Sequence, residues 1–213
     1  MERAYKQECW LVFGLSGMVG EGLRAGRVPG DPPLLGVSRH PQAPASGLEW
    51  LEGELPARVR VPATSAIASL GPLDAFAAWF ESSGAAPARV VALGSTSVHG
   101  KAGSPDPAER ELAARLREAE QRLAAACAAR GSALTLLRPT LVWGRGRDRN
   151  LSRLVALARR WRVLPLPATA RGLRQPIHAD EVAAAVLAAL RATLPVPGAF
   201  DLPGGETLPY DEM

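Results

Sequence analysis

Three glycines at intervals of three, in Gly14-Leu15-Ser16-Gly17-Met18-Val19-Gly20, lie between an apolar run and the start of a helical pattern. The run, Cys9-Trp10-Leu11-Val12-Phe13, is short and bounded by glycine, as a buried strand reads. In a strand–loop–helix unit each of these glycines has a task. The first allows the tight turn, the second lets backbone N–H groups approach a pyrophosphate, and the third lets helix and strand pack closely. The helix N-terminus adds positive partial charge for the phosphates. Gly14, Ser16, Gly17, Met18, Val19 and Gly20 are therefore candidate contacts to a dinucleotide.

A second apolar run, Pro33 to Val37, ends in Ser38-Arg39-His40, and no acid occurs between Asp31 and Glu49. NAD sites of this kind place an Asp or Glu about 20 residues after the loop to hold the ribose 2′-hydroxyl. An acid there would repel a 2′-phosphate, whereas Ser38 and Arg39 can hydrogen-bond one. The expected cofactor is NADP ahead of NAD. His40 stands beside this site without an assigned role.

Arginine is the third feature. Of 25 basic residues only Lys6 and Lys101 are lysine, and residues 138 to 162 hold eight arginines against the single acid Asp148. Three readings compete: a solvated helix face, a grip on phosphates by bidentate guanidinium contacts, and a nucleic-acid patch. The last ranks lowest, because no aromatic RNA-binding motif or helix-turn-helix pattern accompanies the charge. Trp143 and Trp161 can stack on a base or sugar, with core burial the simpler reading.

These residues need elements to position them. Apolar runs at Cys9–Phe13, Pro33–Val37, Leu48–Leu55, Ala66–Leu70, Arg89–Leu93 and Ala133–Leu137 read as strands. Helices are expected at Met18 to about Ala25, Asp106 to about Arg130, Asn150–Trp161 and Asp180–Arg191. The longest opens with Asp106 as cap, Pro107 in the first turn and Glu109 at capping-box spacing, and it stops at Gly131. Strands alternating with helices predict a parallel sheet covered on both faces, a doubly wound α/β domain.

The chain of 213 residues, 47% hydrophobic and 22% charged, fits one domain spanning 1–213. No apolar run reaches the roughly 18 residues of a membrane span, and no signal-peptide layout opens the chain. Cys9 and Cys127 lie far apart, which excludes a disulfide scaffold, suggests no metal site and suits the cytoplasm. Thr207 to Met213 reads as the opening of a helix, either brief by nature or cut short.

With these residues in view, the chain resembles the extended and atypical short-chain dehydrogenases/reductases, the NAD-dependent epimerase/dehydratase or nucleotide-sugar epimerase group. GLSGMVG is similar to that group's GxxGxxG loop. Val90 to Gly100, VVALGSTSVHG, is similar to its strand-then-SSxxVYG block, and Arg174 to Ala183, RQPIHADEVA, to its RxxIHVxDxA block. Leu137-Arg138-Pro139 and Trp143-Gly144 lie between them in matching order. The resemblance implies a Rossmann-like fold. It also implies cofactor contacts at Arg138 and Pro139, substrate contacts at Arg145 and Arg174, and a substrate-side region from about residue 144 to 213.

One departure matters. The group's chemistry uses a tyrosine and, four residues on, a lysine; spacing back from Glu120 puts that pair at Leu112 and Leu116, which cannot titrate. Neither tyrosine of the chain and neither lysine lies in this helix. Leu112, Leu116, Leu123 and Cys127 read instead as an apolar packing stripe. Ser95 stands at the group's catalytic-serine position, and His99, in place of the VYG tyrosine, is a side chain able to titrate near neutrality. Two functions are therefore expected. One is an oxidoreductase or epimerase on a sugar-like or nucleotide-linked small molecule, with Ser95 and His99 as catalytic candidates; the other is a dinucleotide-binding sensor or scaffold without turnover. A homodimer is the expected assembly, and His178 is expected to pack ahead of a helix.

Overall fold

The apolar run at the N-terminus forms strand β1 (Trp10–Phe13), and its alternate residues point to opposite faces as strand geometry requires. There follow α1 (Met18–Ala25), β2 (Leu34–Ser38), β3 (Leu48–Glu52), β4 (Ala66–Ser69), α2 (Leu73–Ser83), β5 (Arg89–Leu93), α3 (Ser97–Gly100) and α4 (Pro107–Ala129). The chain continues through β6 (Ala133–Pro139), β7 (Leu141–Trp143), β8 (Leu173–Arg174), β9 (Pro176–His178), α5 (Ala179–Arg191), β10 (Gly198–Leu202) and β11 (Leu208–Pro209). The computed structural model describes residues 9–57, 59–146, 148, 158–160, 162, 172–209 and 212.

Seven of these strands form one parallel sheet in the order β10-β6-β5-β4-β1-β2-β3. Trp10 and Val12 of β1 join one buried cluster with Val19 and Leu23 of α1 and Val182, Val186 and Leu187 of α5. Leu11 and Phe13 join the other, with Phe76, Trp79 and Phe80 of α2 and Leu123 and Cys127 of α4. Each such fully buried side chain contributes about 1.5–3 kcal/mol. The doubly wound α/β fold expected from the alternation of strands and helices is the one observed.

The order reverses between β1 and β4, which are hydrogen-bonded neighbours although β2 and β3 separate them in sequence. Doubly wound sheets form their ligand crevice at the carboxyl ends of the strands beside such a reversal.

The differences from expectation have physical causes. Helix α2 has no counterpart among the expected helices: Pro72 precedes it with no side-chain cap and its sequence is apolar, so tertiary burial rather than a start signal defines it. In α4, Asp106 does cap by accepting from the Ala108 N–H at 2.9 Å, but Glu109 does not complete a capping box. Its carboxylate is taken by the Ser104 hydroxyl at 2.6 Å and the Lys101 ammonium at 3.0 Å, which hold it below the usual carboxylate range.

The apolar stripe of α4 is only half correct. Leu123 and Cys127 are buried, whereas Leu112 and Leu116 are half-exposed, because the buried face passes through Ala113 and Ala119 nearer the helix start. Burial pushes the Cys127 thiol up to about 11, as suits a packing residue. The end of the chain does not open a helix at Thr207; Leu208–Pro209 pair antiparallel with β8. Of the helix expected at Asn150–Trp161, Ala158–Arg160 are helical and the remainder lies outside the described residues, as do Arg147, Arg149, Arg153 and Trp161.

Candidate functional site at the carboxyl ends of the strands

At the reversal the chain leaves β1 through Gly14, whose φ of +79° is a left-handed conformation that L side chains rarely adopt. A Cβ there would also stand 3.1 Å from the Leu70 carbonyl carbon and 3.2 Å from the Gly71 nitrogen, so the loops after β1 and β4 meet without room for a side chain. The Gly17 N–H closes the turn onto the Gly14 carbonyl at 2.9 Å. Helix α1 then starts from Gly17, an N-cap with no side chain to occupy the first-turn N–H groups of Met18, Val19 and Gly20. Gly20 has the strictest requirement: a Cβ would lie 2.4 Å from the Leu15 carbonyl oxygen.

All six glycine-loop candidates thus stand together at the crevice. Gly14, Ser16 and Gly17 form the turn, while Met18, Val19 and Gly20 form the first helical turn, with the Val19 side chain buried in the core.

Ser38 and Arg39 close β2 nearby. The Ser38 hydroxyl accepts from the His40 N–H at 3.3 Å, and Arg39 lies 3.3 Å from Glu54, just beyond β3. Arg145 also belongs to this end of the sheet. Its backbone is left-handed at φ +55°, its Nη1 lies 3.1 Å from Glu21 of α1, and its Nε donates to Asp180 of α5 at 2.8 Å. The expected substrate arginine is therefore tied to two helices that flank the glycine turn.

A different cluster occupies the ends of β5, β6 and β10. The Ser95 hydroxyl, just past β5, accepts from the Ser97 N–H at 3.2 Å. Two residues on, His99 Nε2 stands 3.3 Å from Arg138 Nη1 and 3.5 Å from Asp201 Oδ1. Arg138 donates to both oxygens of Glu120, from Nε at 2.8 Å and from Nη2 at 2.7 Å. The Glu120 side chain is only 10% exposed and that of Arg138 17%. This bidentate pair keeps the guanidinium firmly charged, its pKa raised first by the Glu120 hydrogen bonds. Arg138 thus turns toward α4, and Pro139 is buried beside it with its carbonyl accepting from the Thr96 N–H at 3.2 Å.

His178 is the cap of α5. Its Nδ1 accepts from the Asp180 N–H at 3.2 Å while Glu181 reaches back to the His178 N–H at 2.9 Å, completing a capping box. Its ring packs edge-on against Trp143, 4.9 Å between centroids, which gives that partly exposed tryptophan a packing role.

With the geometry in hand, comparison with known proteins is decisive on one point. The profile of the NAD dependent epimerase/dehydratase family matches residues 66–202, well over half of the chain. The chain belongs to this family. The match starts at β4, so the glycine turn lies ahead of the matched span. No curated protein matches the chain by sequence.

Among solved structures, MoeE5 in complex with UDP-glucuronic acid and NAD superposes with a TM-score of 0.76 at 22% identity, over 95% of this chain and 79% of that one. TunA, an NAD-dependent NDP-hexosamine 5,6-dehydratase, gives 0.74 at 18%, over 96% and 78%. UDP-N-acetylglucosamine 4-epimerase from Bacillus cereus gives 0.74 at 15%, with the same coverage. At these identities the likeness is one of fold.

Within this epimerase/dehydratase chain, Leu112 and Leu116 hold the positions where the family resemblance puts tyrosine and lysine. Arg174 lies on β8, its Nη1 donating to the Leu173 carbonyl at 2.9 Å, and its charge helps to lower the Glu109 pKa at the start of α4. Sequence reading missed Asp201 and Glu54, the partners that decide what His99 and Arg39 touch. Neither carries a local signal, since each meets its partner only through strand order.

Proposed function

We propose that this chain binds NAD or NADP across the carboxyl ends of its central strands and acts as an oxidoreductase or epimerase on a sugar-like or nucleotide-linked substrate. The observation that carries the reading is the open N-terminus of α1, a glycine cap at the strand reversal. The residues present fit the cofactor: Gly14 turns the chain at φ +79°, Gly17 starts the helix without a side-chain cap, and the N–H groups of Met18, Val19 and Gly20 would hold the pyrophosphate. A bound nicotinamide supplies the hydride acceptor or donor. Ser38 and Arg39 favour NADP to the extent that Arg39 leaves Glu54, while the family description favours NAD.

Substrate would sit over β5 and β6, with the Ser95 hydroxyl as its hydrogen-bond partner and His99 as the group that holds or moves a proton. Arg174 is the arginine for an anionic substrate group, and the region from about residue 144 onward would contribute a small substrate-side part of one domain. Nucleotide sugars of the kind bound by MoeE5 are the first substrates to try. Among the described residues no helix is long and apolar enough to cross a membrane. A homodimer in the cytoplasm remains the proposed setting.

Titration with NADPH and NADH, followed by tryptophan quenching and nicotinamide emission, tests the cofactor half; absence of binding by either sinks it. Incubation with UDP-glucuronic acid or UDP-glucose plus cofactor tests the enzyme half. Any turnover should vanish in Ser95→Ala/His99→Ala, and turnover that persists removes those residues from the chemistry. A second reading, a dinucleotide sensor without turnover, is favoured by Leu112 and Leu116; it predicts cofactor binding with no product from any nucleotide sugar.

A further inference from the structure

Proteins of this fold that prefer NAD usually carry an acid at the end of β2, and this chain carries Arg39 there. The structure brings an acid to the same place from another strand. Ser38 and Glu52 are register partners in the β2–β3 ladder, and the Gly53 N–H extends it by donating to the Ser38 carbonyl at 2.9 Å. That fixed register sets Glu54 beside Arg39, with 3.3 Å between Arg39 Nη1 and Glu54 Oε1. Gly53 lies against Val59 with no room for a side chain of its own, since a Cβ there would stand 2.6 Å from the Val59 side chain. The position of Glu54 is therefore built into the sheet, although both side chains are largely exposed, at 66% and 61%.

We propose that Glu54 is the residue that sets cofactor choice, by competing with a 2′-phosphate for Arg39. The inference rests on the proposed dinucleotide reading and adds its specificity element. With the pair closed, the charges of Arg39 and Glu54 offset each other and the carboxylate suits a ribose 2′-hydroxyl. Exposed ion pairs are weak, so a 2′-phosphate can take Arg39 while Glu54 turns to solvent. The carboxylate then remains a like charge near the phosphate and taxes NADP. This balance makes the native chain a dual-cofactor protein, binding NADH and NADPH within a few-fold of each other.

The test is fluorescence titration with NADH and NADPH of the full chain and of Glu54→Gln, Arg39→Ala and the double variant, with far-UV circular dichroism to establish folding. Removing one unit charge a few ångströms from a phosphate at a wet site is worth about tenfold in affinity. Glu54→Gln should raise NADPH affinity relative to NADH by about that factor. Arg39→Ala should lower NADPH affinity with little change for NADH, and the Glu54→Gln gain should shrink when Arg39 is absent. An unchanged NADPH-to-NADH ratio in Glu54→Gln overturns this inference while leaving the cofactor reading intact. Failure of the native chain to bind either dinucleotide overturns the cofactor reading itself, and the inference with it.

Discussion

Between β1 and β4 the protein offers glycines and open N–H groups, whereas between β5 and β10 it offers His99, Arg138, Glu120 and Asp201 already engaged with one another. The first site depends on atoms being absent, since a side chain at Gly20 would collide with backbone and one at Gly14 would be strained at φ +79° and tight against Leu70. The second depends on atoms being present, since Arg138 is charged and nearly enclosed and needs its carboxylates. The glycine turn is built from backbone and does not draw on the positions held by Leu112 and Leu116. The glycine turn keeps the spacing that the family resemblance implies, whereas Leu112 and Leu116 depart from it.

Substitution should expose that contrast. The largest effect on stability is expected from Glu120→Ala, which leaves the Arg138 charge, among the described residues, with Asp201 at 3.7 Å as its remaining carboxylate partner. Breaking one side of such a pair costs about 3 kcal/mol, measured by urea denaturation, and stability should fall more than cofactor affinity. A loss below about 1 kcal/mol would mean that Asp201 or water replaces Glu120, and the two ends would differ less than argued.

Gly20→Ala should behave in the opposite sense. Its Cβ forces α1 away from the Leu15 carbonyl of the glycine turn, costing about 2 kcal/mol, and NADH affinity should fall at least about tenfold. Normal affinity in this variant would break the claim that the first site is built on missing atoms.

A third effect belongs to neither end. Asp31 is nearly enclosed and takes both Nε and Nη2 of Arg191, at 2.8 and 2.7 Å, which hold its carboxyl below the ordinary range. Because the folded pKa is the lower one, this stabilisation is complete above the unfolded value near 3.9 and is lost as pH falls through the folded value. Asp31→Asn should therefore cost about 1 kcal/mol at pH 7 and flatten the acid limb of stability against pH. An unchanged acid limb would shift the acid response to other carboxylates.

The smallest effect is expected from Arg145→Ala. Its ion pairs to Glu21 and Asp180 tie α1 to α5 at a water-exposed edge, so the urea midpoint should move least of the four. A loss of cofactor affinity out of proportion to that midpoint would show that the tie holds the glycine turn in place.

The sequence by itself determined the strand alternation, the sheet class, the glycine turn, the cap at Asp106 and the helix stop at Gly131. Each of these is local: hydrophobic period, backbone freedom and capping act within a few residues, so neighbours in sequence suffice to read them. It also determined that the long helix has neither tyrosine nor lysine, since a residue type that is missing needs no coordinates. Tertiary structure alone decided that Arg39 meets Glu54, that Arg138 turns to Glu120 and Asp201, and that Arg145 bridges two helices. It alone decided α2 as well, whose apolar residues are helical because Phe13 and α4 cover them. An arginine's partner is set by which elements the fold places side by side, a helix against a strand for Glu120, 18 residues away, and neighbouring strands for Glu54, 15 away, and no local pattern encodes that adjacency.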